Sequence, residues 1–362
     1  MEFGIFSNGF RPHTTAQQTY DEDLHEIVLA DQLGFRVAFI SEHHGEPVYI
    51  DRVDTLPVPE LLMCKAAALT RQIRMGAAVK VLHLQHPVDI AIQAATADHV
   101  IGDNRFIFGF GSGFSSPLFS GERGLSFDDR HARQAESLVF ILKCWTSEQP
   151  FDWDGKYWKG NNIVATPRPL SKPHMPIATA TETEATIEMA GARGYMLLTA
   201  HEPPALLRRK ADAYLRGAAA AGRKDALRNI CNARFVYVAD SRAQAIEDLR
   251  SAVTFEVEFQ IRRGLLALVK RLNNWHSLDE KNVRLEDLVD IGWYIIGGPD
   301  EVAEKLKSIY EASGGFGTLL LVTGKAWADR ERRARSLRRF MEQVAPQLRD
   351  LKPSRSLDTA AA

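Results

Sequence analysis

The chain alternates between two spacings of apolar residues. Short, nearly unbroken apolar runs ("EFGIFSN" at 2–8, "RVAFISEH" at 36–43, "IRMGAAVKVL" at 73–82, "RFIFGFGSG" at 105–113) are separated by segments whose apolar residues recur every three or four positions. The first kind predicts strands covered on both faces, the second amphipathic helices. The helix "TYDEDLHEIVLADQLG" carries Leu24, Ile27, Val28 and Leu33 on one stripe and stops at Gly34. Further helices are predicted over "PELLMCKAAALT", "HPVDIAIQAATADHVIGD", which has Pro87 near its first turn, and "HARQAESLVFILKCW".

The pattern breaks at Ser147–Pro176, rich in Pro, Gly and aromatic residues, which reads as a long excursion with room for a hairpin. It then resumes: strand "IATAT" and helix "EATIEMAGARG", strand "YMLLTA" and helix "EPPALLRRKADAYLRGAAAAG", strand "NICNARFVYVA" and the mostly helical 242–272. An irregular stretch, Asn273–Trp293, precedes the helix "PDEVAEKLKSIYEASG", the strand "FGTLLLVT" and a last amphipathic helix. Strands alternating with helices mean parallel strands joined by crossovers. Eight such units predict an α/β fold, the (β/α)8 TIM barrel, as one domain over 1–350 with insertions near 147–176 and 250–295 and a flexible tail at 351–362. A doubly wound sheet competes less well, because no GxGxxG follows the first strand.

Composition narrows the function classes. With 45 Lys+Arg against 46 Asp+Glu the net charge is -1, which argues against nucleic acid as a partner. The local run "RERRARSLRR" reads as a solvated helix face, with Leu337, Phe340 and Val344 on the apolar side. Cys64, Cys144 and Cys231 are far apart in apolar contexts, which predicts buried free thiols. The N-terminus lacks a basic region followed by an apolar core, and no run reaches the roughly 18 apolar residues of a membrane span. A cytoplasmic protein without membrane attachment is expected.

In a barrel the active site forms at the C-terminal ends of the strands. There the chain places "SEHH" (41–44), "HLQH" (83–86), "GSGFSS" (111–116), "TETEAT" (181–186) and "AH" (200–201). Adjacent His43 and His44 point to opposite sides of extended backbone, so at most one faces the axis. A metal site would need Glu42, His43, His83, His86 and His201 to converge, and no HxH or HExxH spacing supports one, so none is expected. His86, ahead of Pro87, reads as a helix cap. Thr181–Thr186 opens a helix, which suits either an anion site or ordinary capping by Thr183 or Thr186; Glu182 and Glu184 should then face away from any phosphate. Gly109–Gly113 and the small residues Gly76, Ala77 and Ala78 leave room for a flat ligand near the backbone.

Nearly end to end the chain resembles the bacterial luciferase-like flavin-dependent monooxygenases, most closely those of diketocamphane and limonene type. The resemblance rests on "EHH" after strand two, "GAAVKVLHLQHPV", "GDNRFIFGFGSG", "GKYW", "ATETEATIEMAGARG" and "GGPDEVAEKL...ASGGFGTL", in order and spacing. It implies reduced FMN delivered by a separate flavin reductase, with dioxygen adding at the flavin C4a to give a peroxide. That peroxide oxygenates an apolar carbonyl, an olefin or a related small organic substrate. His43 matches the imidazole that lies over the flavin, and a histidine can exchange a proton near neutral pH. Ala78 and Val79 match the family's non-proline cis peptide on the flavin face. Glu182, Thr183 and Thr186 match its phosphate contacts.

Ser112 stands where the luciferases have an arginine near the phosphate, so Arg123, Arg130 or Arg133 would have to compensate. Two alternatives stay open: a deazaflavin (F420)-dependent oxidoreductase on the same barrel, and a non-catalytic flavin-binding protein. The aromatics Trp275, Trp293 and Tyr294 are candidates for the substrate mouth or for core packing, and Phe114, Phe119 and Trp158 for added apolar walls. A homodimer is expected, since relatives commonly pair.

Overall fold

The computed structural model describes the chain apart from residues 8–14, 44–55, 114–125, 127, 263–269, 271–274, 276–277, 280–281, 323–326 and 354–362. His44, Phe114, Phe119, Arg123 and most of the expected tail therefore lie outside the described residues. The strands are β1 (Glu2–Ser7), β2 (Val37–Ile40), β3 (Arg74–Ala77), β4 (Lys80–Val81), β5 (Phe106–Gly111), β6 (Phe151–Asp154), β7 (Lys159–Ile163), β8 (Ile177–Ala180), β9 (Met196–Ala200), β10 (Ile230–Val238), β11 (Tyr294–Gly297) and β12 (Thr318–Val322). Eight of them pair in parallel as a closed ring, β1-β2-β3-β5-β8-β9-β10-β12 and back to β1. This is the (β/α)8 barrel that the alternating pattern predicts.

The crossovers are helical: α1 (Ala16–Leu33), α2 (Pro59–Ala67), α3 (Pro87–Ile101), α4 (Arg130–Thr146), α5 (Glu184–Arg193), α6 (Pro204–Ala220), α7 (Arg242–Arg262), α8 (Leu285–Asp290), α9 (Pro299–Ser313), α10 (Arg330–Arg339) and α11 (Ala345–Leu348). Their ends follow local chemistry. Thr15 and Gln18 form a capping box at the start of α1, and Gly34 ends it in the left-handed conformation at φ 85.

Two apolar layers result from alternation along the strands. Phe39, Ile107, Ala178, Leu198, Cys231, Ala233 and Leu320 fill the barrel interior. Ala38, Ile40, Phe106, Phe108, Leu197 and Leu321 face outward beneath the helices. The last helices close on the first strand and helix: Phe340 is sealed against Phe3 and Phe35, with ring centroids 5.4 and 6.3 Å away. Burying such a side chain contributes about 1.5–3 kcal/mol.

Three local readings change. β11 occupies "YIIG", which the pattern left unassigned. It pairs with Phe235–Val238, because β10 is nine residues long and its C-terminal half extends past its pairing with β12. The basic face of α10 is not uniformly solvated: Arg333 is buried, with Nη2 2.6 Å from Glu22 and Nε 2.9 Å from Glu26 of α1. The glycines of β5 answer to the neighbouring segment, its backbone at Gly109 and a side chain at Gly111, rather than to a ligand. A Cβ on Gly109 would lie 1.7 Å from the Ala77 carbonyl oxygen, and one on Gly111 would lie 2.6 Å from Val79 Cγ2. The excursion at 147–176 carries the antiparallel hairpin β6–β7.

Candidate functional site

β2 ends at Ile40, and Ser41, Glu42 and His43 follow it without regular structure. The Ser41 N–H donates to the Ser7 carbonyl at 2.8 Å and the His43 N–H to the Leu56 carbonyl at 3.2 Å. Glu42 is buried against a cation from β4: Lys80 Nζ is 3.1 Å from Glu42 Oε2 and 3.5 Å from Glu60 Oε1. Burial opposes the Lys80 ammonium, yet the two carboxylates hold its pKa above the ordinary value. Burial pushes the Glu60 carboxyl up, against the pull of Lys80. This cluster joins the turn that carries His43 to the segment after β3. Between β3 and β4 the Ala78–Val79 peptide is cis, as the resemblance implies, and the Ala78 N–H donates to the Ile40 carbonyl at 2.7 Å. His43 and Ala78–Val79 thus follow the ends of the adjacent strands β2 and β3.

Across the next two strands of the ring, β5 and β8 lead to a cavity of about 240 Å³ between α4 and α5. Ser112, Thr181, Thr183 and Thr186 line it together with His131 and Arg193. No carboxylate is among its described lining residues. Thr183 occupies the N-cap position of α5, but its hydroxyl makes no capping bond; its N–H donates to Thr181 Oγ1 at 3.1 Å instead. The Thr186 N–H donates to the Thr183 carbonyl at 3.0 Å, and the Glu184 and Ala185 amides precede that first bond of the helix, so hydroxyls and amides together suit an anion here.

The acidic residues of "TETEAT" turn away from this cavity. Glu182 pairs with Lys210 of α6 at 2.7 Å, and Glu184 pairs with Arg216. Glu182, which the resemblance groups with the phosphate contacts, has its carboxylate on Lys210. Lys210 also meets buried Glu202 at 2.5 Å, and Arg234, pushed down to about 10 by burial, donates to the Glu202 carbonyl and to Asn232. Of the cations expected to compensate for Ser112, Arg133 lies over the rings of Tyr157 and Trp158, 4.8 and 5.3 Å from their centroids. Arg193 is the cation among the described lining residues, and His131, which also lines the cavity, is pushed below its ordinary value by burial and by Arg130.

The histidines do not converge. His86 caps α3, its Nδ1 accepting from the Val88 N–H at 3.3 Å. Burial, with Arg133, Arg130 and His131 nearby, pushes His83 down to about 4. His201 stacks on Phe235, with ring centroids 4.1 Å apart and planes 13° off parallel. Among the described residues, no three His, Cys, Asp or Glu residues are grouped to hold a metal. Trp158, a candidate wall, docks on α4 instead: its Nε1 donates to Ser137 Oγ at 2.9 Å, and its ring meets His86 at 4.9 Å. Trp293 reaches the interior apolar cluster, as do Ala78 and Val79. The three cysteines are free; Cys144 and Cys231 are buried and Cys64 is half-buried. Sequence pattern missed Lys80 and Glu60, since a lone lysine inside "GAAVKVL" and a first-turn acid in "PELL" carry no distinguishing signal.

The luciferase-like monooxygenase family model matches residues 1–315. The chain belongs to that family. It is 31% identical to 4-hydroxyprotoasukamycin monooxygenase of Streptomyces nodosus subsp. asukaensis, over 90% of this chain and 85% of the relative. The oxygenating constituent of 3,6-diketocamphane monooxygenase from Pseudomonas putida, a type II Baeyer-Villiger monooxygenase in complex with FMN, superposes with a TM-score of 0.82 at 26% identity, covering 96% of this chain and 98% of that one. An F420-dependent secondary alcohol dehydrogenase shares the fold, with a TM-score of 0.72 at 18% identity, over 96% of this chain and 99% of that one. This luciferase-like monooxygenase is an oxidoreductase, and no helix among its described residues is long and apolar enough to cross a membrane.

Proposed function

We propose that the chain is the oxygenating component of a two-component monooxygenase. It takes reduced FMN from a separate reductase and uses dioxygen to oxygenate a small apolar carbonyl or olefinic compound. The observation that supports this best is the cavity at the start of α5, where Ser112, Thr181, Thr183 and Thr186 meet without a carboxylate among the described lining residues. That donor set fits a phosphate ester. The Pseudomonas putida relative, described with FMN and called an oxygenating constituent, points the same way.

On this reading Ser112, Thr183, Thr186 and the first-turn amides of α5 hold the phosphate, and Ala78 and Val79 contact the ring system. Bound reduced flavin supplies the electrons that activate dioxygen. His43 gives or takes a proton at a ring nitrogen, and the Glu42–Lys80–Glu60 cluster holds its backbone in place. The apolar surface of Ala78, Val79 and Trp293 limits water at the reacting centre.

The test supplies photoreduced FMN, isotopically labelled dioxygen and a panel of ketones, aldehydes and olefins. Label in a product is expected, with His43→Ala lowering coupled turnover. Oxygen-independent hydride transfer with reduced F420, and no label with FMN, would replace this reading with the deazaflavin one.

A further inference from the structure

The ring order sets up a second wall across the barrel mouth. In an eight-strand ring each strand faces the one four places away. β2 therefore faces β9, and β3 faces β10. His43 follows β2 and His201 follows β9; Ala78–Val79 follows β3, and Phe235 lies in β10. The imidazole of His201 lies flat against Phe235, and Trp293 packs on both, with centroids 5.0 Å from His201 and 5.8 Å from Phe235. His201 has φ 58, a left-handed conformation that turns the chain at the strand end, and its N–H donates to the Ala233 carbonyl at 3.0 Å. Phe235 is buried, whereas His201 and Trp293 are half-buried, so each of those two residues keeps part of its surface exposed.

We infer that His201 and Trp293, backed by Phe235, form the substrate-facing wall and select for flat, unsaturated ring compounds over saturated ones of the same size. This inference rests on the flavin reading, which puts the cofactor against Ala78–Val79 on the opposite side. Parallel and tilted aromatic rings offer a face on which a flat π system gains offset-stacked or edge contacts beyond simple apolar burial. A puckered saturated ring gains only the burial.

The test uses benzaldehyde and cyclohexanecarbaldehyde, which share a carbon count and a polar group and differ in flatness. Dissociation constants are measured by calorimetry on the full chain saturated with FMN, and again without FMN. The wild type is expected to favour benzaldehyde roughly two- to tenfold. Trp293→Leu keeps an apolar side chain, and His201→Gly removes the ring where glycine accepts the positive φ. Both variants are expected to bring the ratio toward one while FMN affinity stays unchanged. No wild-type preference, or a preference that survives both substitutions, overturns the inference. Failure of FMN to bind overturns the flavin reading instead, and the aldehyde ratio on the FMN-free chain still judges the wall.

Discussion

The ammonium of Lys80 lies 3.1 Å from the carboxylate of Glu42, and both side chains are almost sealed from solvent. The contact spans from the turn carrying His43 to the strand that follows the cis peptide, so a charge pair in the core sets the position of two candidate site elements. Replacing Lys80 by Met leaves Glu42 and Glu60 buried without their shared cation. Removing one partner of a buried pair costs about 3–5 kcal/mol. Urea unfolding should show a loss of that order for Lys80→Met, and a smaller one when Glu42→Gln is added.

The same cluster gives stability a defined pH dependence. Burial raises the Glu60 carboxyl above its ordinary 4.5, so the folded state holds its proton longer than the unfolded chain does, and stability falls as pH climbs from 4.5 through the folded value. Lys80 is raised above 10.5; its contribution is complete below that value and is lost as pH rises past its folded pKa. Glu60→Gln keeps the shape and should remove the first decline and make the alkaline one smaller, because Glu42 alone then holds Lys80. Thermal midpoints measured across pH read both.

Thr183 and Thr186 are expected to act on the phosphate and on nothing else. A hydrogen bond to a charged acceptor is worth about 1.5–3 kcal/mol. Thr183→Ala with Thr186→Ala should weaken FMN at least about tenfold, and leave riboflavin, which lacks the phosphate, where it was. Fluorescence titration with both flavins distinguishes a phosphate seat from general damage.

The hairpin β6–β7 depends on one carboxylate. Glu136 Oε2 accepts from the Tyr157 N–H at 3.0 Å, while its Oε1 accepts from the Trp158 N–H at 3.0 Å and Trp153 Nε1 at 3.3 Å. Glu136→Ala strands these donors at a cost of about 1–3 kcal/mol. Limited proteolysis should then cut within 151–163 before any other site, with Glu136→Gln much less affected.

Local pattern was enough to order the strands and helices, because each apolar run and each helical stripe is set by near neighbours. It was also enough for the His86 cap, since Pro87 constrains the residue before it. It could not reveal the partners of Lys80, Glu60 and Arg333, because a buried charge is recognised only by what it meets across the fold. β11 escaped notice for a related reason: its existence depends on how far β10 extends beyond its neighbours. Gly109 and Gly111 suggested space for a ligand, yet that space is taken by Ala77 and Val79 of the adjoining segment. Thr183 and Thr186 were visible as a helix start, but the cavity they share with Ser112 appears only once β5 and β8 are side by side.

The most direct measurement follows the reoxidation of reduced FMN by dioxygen in rapid mixing, with and without the protein. Sheltering at the barrel mouth predicts a multiphasic absorbance trace with a slow final phase and little hydrogen peroxide when substrate is present, and His43→Ala should lose that coupling. A single fast phase identical to that of free reduced FMN would contradict the account.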